Sequence, residues 1–486
     1  MPALSKYYTP ILLFLLCVLV LTQSNFAPFA NGSSGVDSGV FIYSAKAIMN
    51  SKIMYKEVFD HKGPLIYLIN ILGLVILNGN LIGVWIVELI SLFIATIFFY
   101  KSSRLFFDET ASFFSVVFAL NTIMPLLEAG DLTEEYYLCF AAIALFLFLR
   151  ALKADFVFSF SDVFLISVCA ACAMMLRINL VALWVSFTIV AAVFLVYKKR
   201  IGSLITYKLW VWIGIAVVVV PFIVYFYMHH ALADAWYANW TFNLHYAHTT
   251  ARASWSGIWD AISSMAPTHV GLVMLAYFIV AVKWAIKEPQ NRILHLFSVL
   301  AFLLTLIIGC GLTARVQSHY ALAVIPAIIV PAAFLLQKMK CLSSRYHALF
   351  CLIAVLCISI HAYRLQKIFV RLALQRKTEQ LQIINCIKEN TSQSDLISVM
   401  GNNSLLYYLS GRNSCSRFHY QFPLVKIDSN ITKEYYTDIV TNKPRLILCA
   451  GDDLSLLPSC FAVLLNKDYT RIRYDGVQSY RIYRHN

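Results

Sequence analysis

About eleven apolar runs, spaced along most of the chain and punctuated by short basic clusters, limit what this sequence can fold into more than any other feature. They lie at residues 10–21, 81–100, 111–127, 136–149, 163–176, 180–197, 209–228, 271–286, 294–312, 321–336 and 348–362. A helix of roughly 20 mostly apolar residues crosses the hydrocarbon layer, and the polar backbone leaves few other solutions there. The basic residues sit at alternate ends of the runs: Lys6, then Lys101 and Arg104, Arg150 and Lys153, the YKKR of 197–200, and Lys283, Lys287 and Arg292. That alternation is the positive-inside pattern. It places the N-terminus in the cytoplasm and residues 363–486 outside. The first run could serve as a signal peptide, but without a clear small-residue cleavage site it reads as an uncleaved span. With 60% hydrophobic and 13% charged residues and a mean hydropathy of +0.71, a soluble class is excluded. The net charge of +14 is largely accounted for by topology, so a nucleic-acid partner is not expected.

Two stretches break the pattern. The first, residues 25–80, is a charged first external loop holding Asp37, Lys46, Lys52, Lys56, Glu57, Asp60, His61 and Lys62. Helical spacing follows Asp37, and a second apolar piece, about 13 residues long and short for a span, follows DHKGP. Both pieces read as amphipathic helices at the membrane surface. The second stretch begins near 363, where the composition turns polar. Residues 364–390 read as a polar helix. Leu396–Met400 and Leu446–Ala450 read as buried strands, and 405–409 and 480–483 as strands or short helices. The expected architecture is a transmembrane domain, 1–362, and a small extracytoplasmic α/β domain, 363–486. Cys386, Cys415, Cys449 and Cys460 of that domain fit buried thiols or one or two disulfides equally well. No metal-ligand spacing, phosphate-binding loop, dinucleotide fingerprint or internal repeat is visible.

Several charges are candidates for chemistry, each with a plainer reading. Asp37, beside Gly35 and Gly39, suits a general base but also a helix cap. Lys62, just ahead of Pro64 and a helix start, suits an anion site but also a lysine snorkelling to the interface. Asp60 and His61 could be a second catalytic or a structural pair. Glu134 and Glu135 open a span and either face the external vestibule or complement the helix dipole. Arg177, between apolar runs, calls for a partner or ligand. Arg315 and His319 could bind phosphate or simply end a span. The aromatic segment 229–269 reads as an interfacial platform.

Asp37, Gly39, Tyr43, the AKAI of 45–48, Tyr55 and the FDHKGP of 59–64 with Tyr67 resemble the first-loop signature of bacterial members of the GT-C superfamily. These are multi-span glycosyltransferases that include relatives of protein mannosyltransferases and the lipid A aminoarabinose transferase. The LTEEY of 132–136, His319–Tyr320 with Pro326, and Gly411–Arg412 and Arg417–Phe418 in the small external C-terminal domain agree with that layout. The resemblance implies a sugar carried on polyprenyl phosphate, transferred to a glycan, lipid or protein acceptor at the outer face of the inner (cytoplasmic) membrane. It assigns Asp37 to the acceptor and Lys62 to the donor phosphate, with Arg315, His319 and Arg177 as further phosphate candidates. Glu134, Glu135, Asp60 and His61 are the candidates for a second acid on the acceptor side. Relatives often carry an adjacent acidic pair where this chain has Asp37 and Ser38. No cofactor is assigned, and a divalent metal is left open. Two other functions fit a chain of this kind: a transporter or flippase of lipid-linked sugars, and a non-catalytic envelope-assembly protein. The first should show repeated halves with charges at mid-membrane; the second should tolerate loss of Asp37.

Overall fold

The structure, a computed structural model, describes residues 2–28, 36–249, 258–260, 262–263, 269–287, 291–311, 317–339, 347–421, 424–450 and 459–486. It is mostly helical. Among the described residues, seven helices are long and apolar enough to cross a membrane: Ile82–Arg104, Glu109–Leu126, Thr133–Lys153, Ile178–Tyr197, Ile205–Met228, Arg292–Cys310 and Ser318–Met339. The shorter apolar helices Tyr8–Gln23, Phe160–Leu176 and Val270–Trp284 coincide with three more of the expected spans. The last expected span is the start of one helix, His347–Asn390. Here the structure corrects the sequence reading: the polar stretch after 363 is not a separate helix. The hydropathy changes at that point, but no proline or glycine stops the helix.

The chain forms two compact units. One holds Met1–Ala27, Trp85–Phe222 and Thr250–Ile368, and contains most of the spans. The other holds Pro28–Val84, Ile223–Thr249 and Phe369–Asn486. The first loop and the C-terminal segment therefore fold together.

The second unit is built on a mixed five-stranded sheet. Its strands are β1 (Leu396–Met400), β2 (Asn413–Ser414), β3 (Leu446–Ala450), β4 (Tyr469–Ile472) and β5 (Tyr480–His485), in the order β2-β1-β3-β5-β4. β1 runs parallel to β2 and β3, while β5 runs antiparallel to β3 and β4. The two strands expected from their apolar runs are the parallel centre, where burial on both faces removes alternation. Ile397, Val399, Leu446, Leu448 and Ile482 pack against Ile383, Ile384 and Ile387 of the long helix. Tyr43 joins this core from the first-loop helix Val36–Met49. Its ring lies 4.9 Å from that of Tyr407, and its hydroxyl accepts the Ser414 N–H at 2.9 Å. That docking buries the helix from Ser38 to Ala45, so it is a core element and not the amphipathic surface helix expected. Cys386 and Cys415 are free buried thiols and Cys449 is buried in β3; the side chain of Cys460 lies outside the described residues.

Helix Leu65–Ile76 turns through Asn78 and Gly79, both at positive φ, into the helix that begins at Ile82. Two glycines let the helices meet: a Cβ on Gly83 would sit 2.0 Å from the Gly73 carbonyl oxygen, and one on Gly73 2.8 Å from Val84 Cα. Gly83→Ala should therefore lower stability by ~1–3 kcal/mol. Gly202→Ala, with nothing within 4 Å, should not. Thermal unfolding of the purified protein compares the two.

Candidate functional site

In the second unit the sequence-predicted residues Asp37, Asp60, His61 and Lys62 fall close together. Asp37 stands in the first turn of Val36–Met49, where a carboxylate is favoured by the helix dipole. Lys62 lies two residues before Pro64, which caps Leu65–Ile76. The Lys62 ammonium is 3.8 Å from the Asp37 carboxylate; the lysine side chain is 8% exposed and that of Asp37 36%. An ammonium held against a helix start, beside a carboxylate open to solvent, offers one site for an anion and one for a hydroxyl proton.

The loop that carries Lys62 is fixed from both sides. The Tyr55 hydroxyl donates to the Lys62 carbonyl at 2.7 Å, and the Asn243 amide to the His61 carbonyl at 3.0 Å. Asp60 is buried and fully engaged. Its Oδ1 accepts from the His61 N–H at 2.7 Å and the Tyr420 hydroxyl at 2.5 Å, and its Oδ2 from the Tyr67 hydroxyl at 2.7 Å. Burial alone would raise the Asp60 carboxyl. The ring bond and charge of His61, whose Nδ1 lies 3.3 Å from Oδ1, followed by the Tyr420 bond and the charge of Lys62, outweigh it and hold the group far below the usual carboxylate range. Asp60 is thus ionised and closed off from ligands, a structural acid. The Tyr420 O–H donates to it, so the Tyr420 oxygen, 3.0 Å from His61 Nδ1, accepts from a protonated Nδ1 there.

Neighbouring residues add a second layer, centred on the Arg417–Phe418 pair that the resemblance included. Arg417 grips Glu434 through two bonds (2.6 and 2.9 Å), lies 3.4 Å from Asp234, and stacks 4.8 Å from the Phe418 ring centre. A cavity of about 310 Å³ opens beside these residues, with Tyr237, Asp428 and Asn430 on its wall. His419 bridges Ser44 (3.2 Å) and Ser404 (2.9 Å), and burial pushes its ring down to about 4, so it stays neutral.

The other candidates belong to the first unit. Glu134 is ion-paired with Arg177, whose guanidinium lies over the Tyr320 ring at 3.8 Å; the Thr133 hydroxyl holds the second Glu134 oxygen at 2.7 Å. This pairing meets the expectation that Arg177 has a partner. His319 pairs with Glu128 at 3.0 Å. Burial would raise the Glu128 carboxyl, but the bond and charge of His319 bring it below its ordinary value. Glu135 is 1% exposed, in one acidic pocket with Glu88 and Asp131. Glu88 accepts from the Ser24 hydroxyl (2.7 Å) and the Asp131 N–H (2.6 Å), tying residue 24 to the turn at 128–131. A carboxylate inside an apolar run was the signal that could have singled out Glu88. Arg315 lies outside the described residues. Among the described residues, no three His, Cys, Asp or Glu are arranged to hold a metal ion.

Comparison with known proteins gives the fold a context. Residues 377–486 match the family described as the C-terminal domain of the putative competence-induced protein Ccs4. No curated protein sequence matches the chain. Among solved structures, ArnT from Cupriavidus metallidurans bound to undecaprenyl phosphate is similar over 97% of both chains, with a TM-score of 0.65 and 10% identity. Its apo form gives a TM-score of 0.63 at 10% identity, again over 97% of both chains. The apo oligosaccharyltransferase of Archaeoglobus fulgidus is similar over 92% of this chain and 70% of that one, with a TM-score of 0.53 and 12% identity. The chain has the fold of these multi-span membrane proteins, as the first-loop resemblance led one to expect.

The buried Asp60 carries a pH signature. Its folded carboxyl sits below the unfolded value, so its stabilisation is complete above that value and drains away as pH falls through the folded one. The unfolding temperature should therefore drop below about pH 4. Asp60→Asn should be less stable at neutral pH by ~1–3 kcal/mol and show a flatter acid limb. Thermal scans from neutral to acid pH measure both.

Proposed function

We propose that the chain is a membrane glycosyltransferase that moves a sugar from a polyprenyl phosphate to an acceptor hydroxyl at the outer face of the cytoplasmic membrane. The observation that carries this reading is the Asp37–Lys62 pair, held at the starts of two helices in one compact unit. The acceptor oxygen attacks the anomeric carbon from the face opposite the phosphate. The bond from that carbon to the phosphate oxygen breaks, and the electron pair leaves with the polyprenyl phosphate, inverting the anomeric centre. The acceptor proton passes to Asp37. Lys62 offsets the charge that gathers on the leaving phosphate, as a low-dielectric cation does most effectively. A donor activated by its own lipid phosphate needs no nucleotide fold. In support, the fold is that of ArnT, which has been solved with undecaprenyl phosphate bound. The acceptor is a glycan, lipid or protein of the cell envelope. In this reading the N-terminus is cytoplasmic, and residues 363–486 form the extracytoplasmic domain.

The test is transfer of labelled sugar from polyprenyl phosphate in proteoliposomes. Asp37→Asn should lower kcat by about 100-fold or more. Lys62→Ala should lower kcat/KM by roughly 10- to 100-fold, with a fall in kcat as well as a rise in KM for the lipid. Movement of intact lipid across the bilayer without transfer would establish the flippase reading instead. Transfer by Asp37→Asn at the wild-type rate would remove Asp37 from the chemistry.

A further inference from the structure

Lys62 does not place itself. Two residues earlier in the chain, Asp60 is pinned by hydroxyls from opposite directions: Tyr67 on the helix that Lys62 precedes, and Tyr420, 360 residues away. Tyr420 is in turn fixed by the sheet. The next residue, Gln421, makes two bonds to Gly401 at the end of β1: its N–H to the Gly401 carbonyl at 3.0 Å, and its side-chain oxygen to the Gly401 N–H at 2.9 Å. The preceding residue, His419, bonds Ser404 through its ring. Two residues further back, the Arg417 carbonyl accepts the Phe59 N–H at 3.0 Å. The stretch 417–421 thus runs from the sheet to the loop, bonding Phe59, Asp60 and His61 in succession.

We propose that Tyr420 is a positioning residue for Lys62: its hydroxyl, donating to Asp60 and accepting from His61, lets the C-terminal sheet set where the Lys62 ammonium stands. This inference rests on the reading of Lys62 as the donor-phosphate contact. The C-terminal domain then acts on the donor site without touching the lipid. The geometry also explains why this link is a tyrosine. A buried carboxylate needs donors on both oxygens, and the same phenol oxygen takes the His61 Nδ1–H. A phenol does both, whereas phenylalanine would remove one donor from Asp60 Oδ1 and leave His61 Nδ1 only its 3.3 Å contact with that same oxygen.

The experiment reads the position of Lys62 itself, in the full-length protein. Acylation of lysines by a water-soluble N-hydroxysuccinimide ester is followed by mass spectrometry, with the exposed Lys52 (side chain 56% exposed) as internal reference. The variants are Tyr420→Phe and Tyr408→Phe; the latter loses a hydroxyl bond to the Gly79 carbonyl elsewhere in the same unit. Tyr420→Phe should change the Lys62-to-Lys52 labelling ratio by about fivefold or more, the factor one lost hydrogen bond produces. Tyr408→Phe should leave it alone. A folded Tyr420→Phe protein with the wild-type ratio, or an equal change in Tyr408→Phe, overturns the proposal. Should Tyr420→Phe not fold, Tyr67→Phe removes the other hydroxyl from Asp60 and is held to the same criterion. Undecaprenyl phosphate added to the wild type tests the donor reading separately. If the lipid fails to protect Lys62 from acylation, that reading falls, while the labelling change in Tyr420→Phe still stands or falls on its own.

Discussion

A carboxylate taken out of water must be met by donors, and the second unit is organised around one such demand. Asp60 receives hydroxyls from Tyr67 and Tyr420 and an N–H from His61. These donors come from the loop, from the helix that follows it, and from the segment leading off the sheet. Satisfying one buried charge therefore brings together residues from distant parts of the chain. The same demand orders the HKGP turn, on which the pairing of Lys62 with Asp37 depends. Tyr43 does comparable work from the other helix by entering the sheet's core and accepting the Ser414 N–H.

Much of the framework was legible in the sequence. The apolar runs announced spans because the hydrocarbon layer admits little else, and two short runs announced the central parallel strands because burial on both faces suppresses alternation. Arg177 announced a partner because a bare guanidinium between apolar runs is costly, and Glu134 supplies it. Asp37 and Lys62 stood out as charges at helix starts, and the structure brings them within 3.8 Å.

What could not be read has physical reasons. The tie between Asp60 and Tyr420 spans 360 residues and leaves no local pattern. The helix Val36–Met49 looked suited to a surface because its apolar residues recur at helical spacing within a charged loop; nothing nearby shows that a sheet formed hundreds of residues later will bury it. The continuous helix His347–Asn390 was hidden by a change in hydropathy, which reports environment and not backbone conformation. Glu134, Glu135 and His319 were legible as polar residues but not as buried ones, because burial depends on partners such as Glu88 and Glu128 in other elements.

The account turns on where a lipid phosphate meets this chain. The most direct measurement is a structure of the protein in lipid nanodiscs with undecaprenyl phosphate added. The account predicts phosphate density within hydrogen-bonding reach of the Lys62 ammonium, with the Asp60 network unchanged. Phosphate bound at Arg177 or elsewhere, away from Lys62, would contradict it.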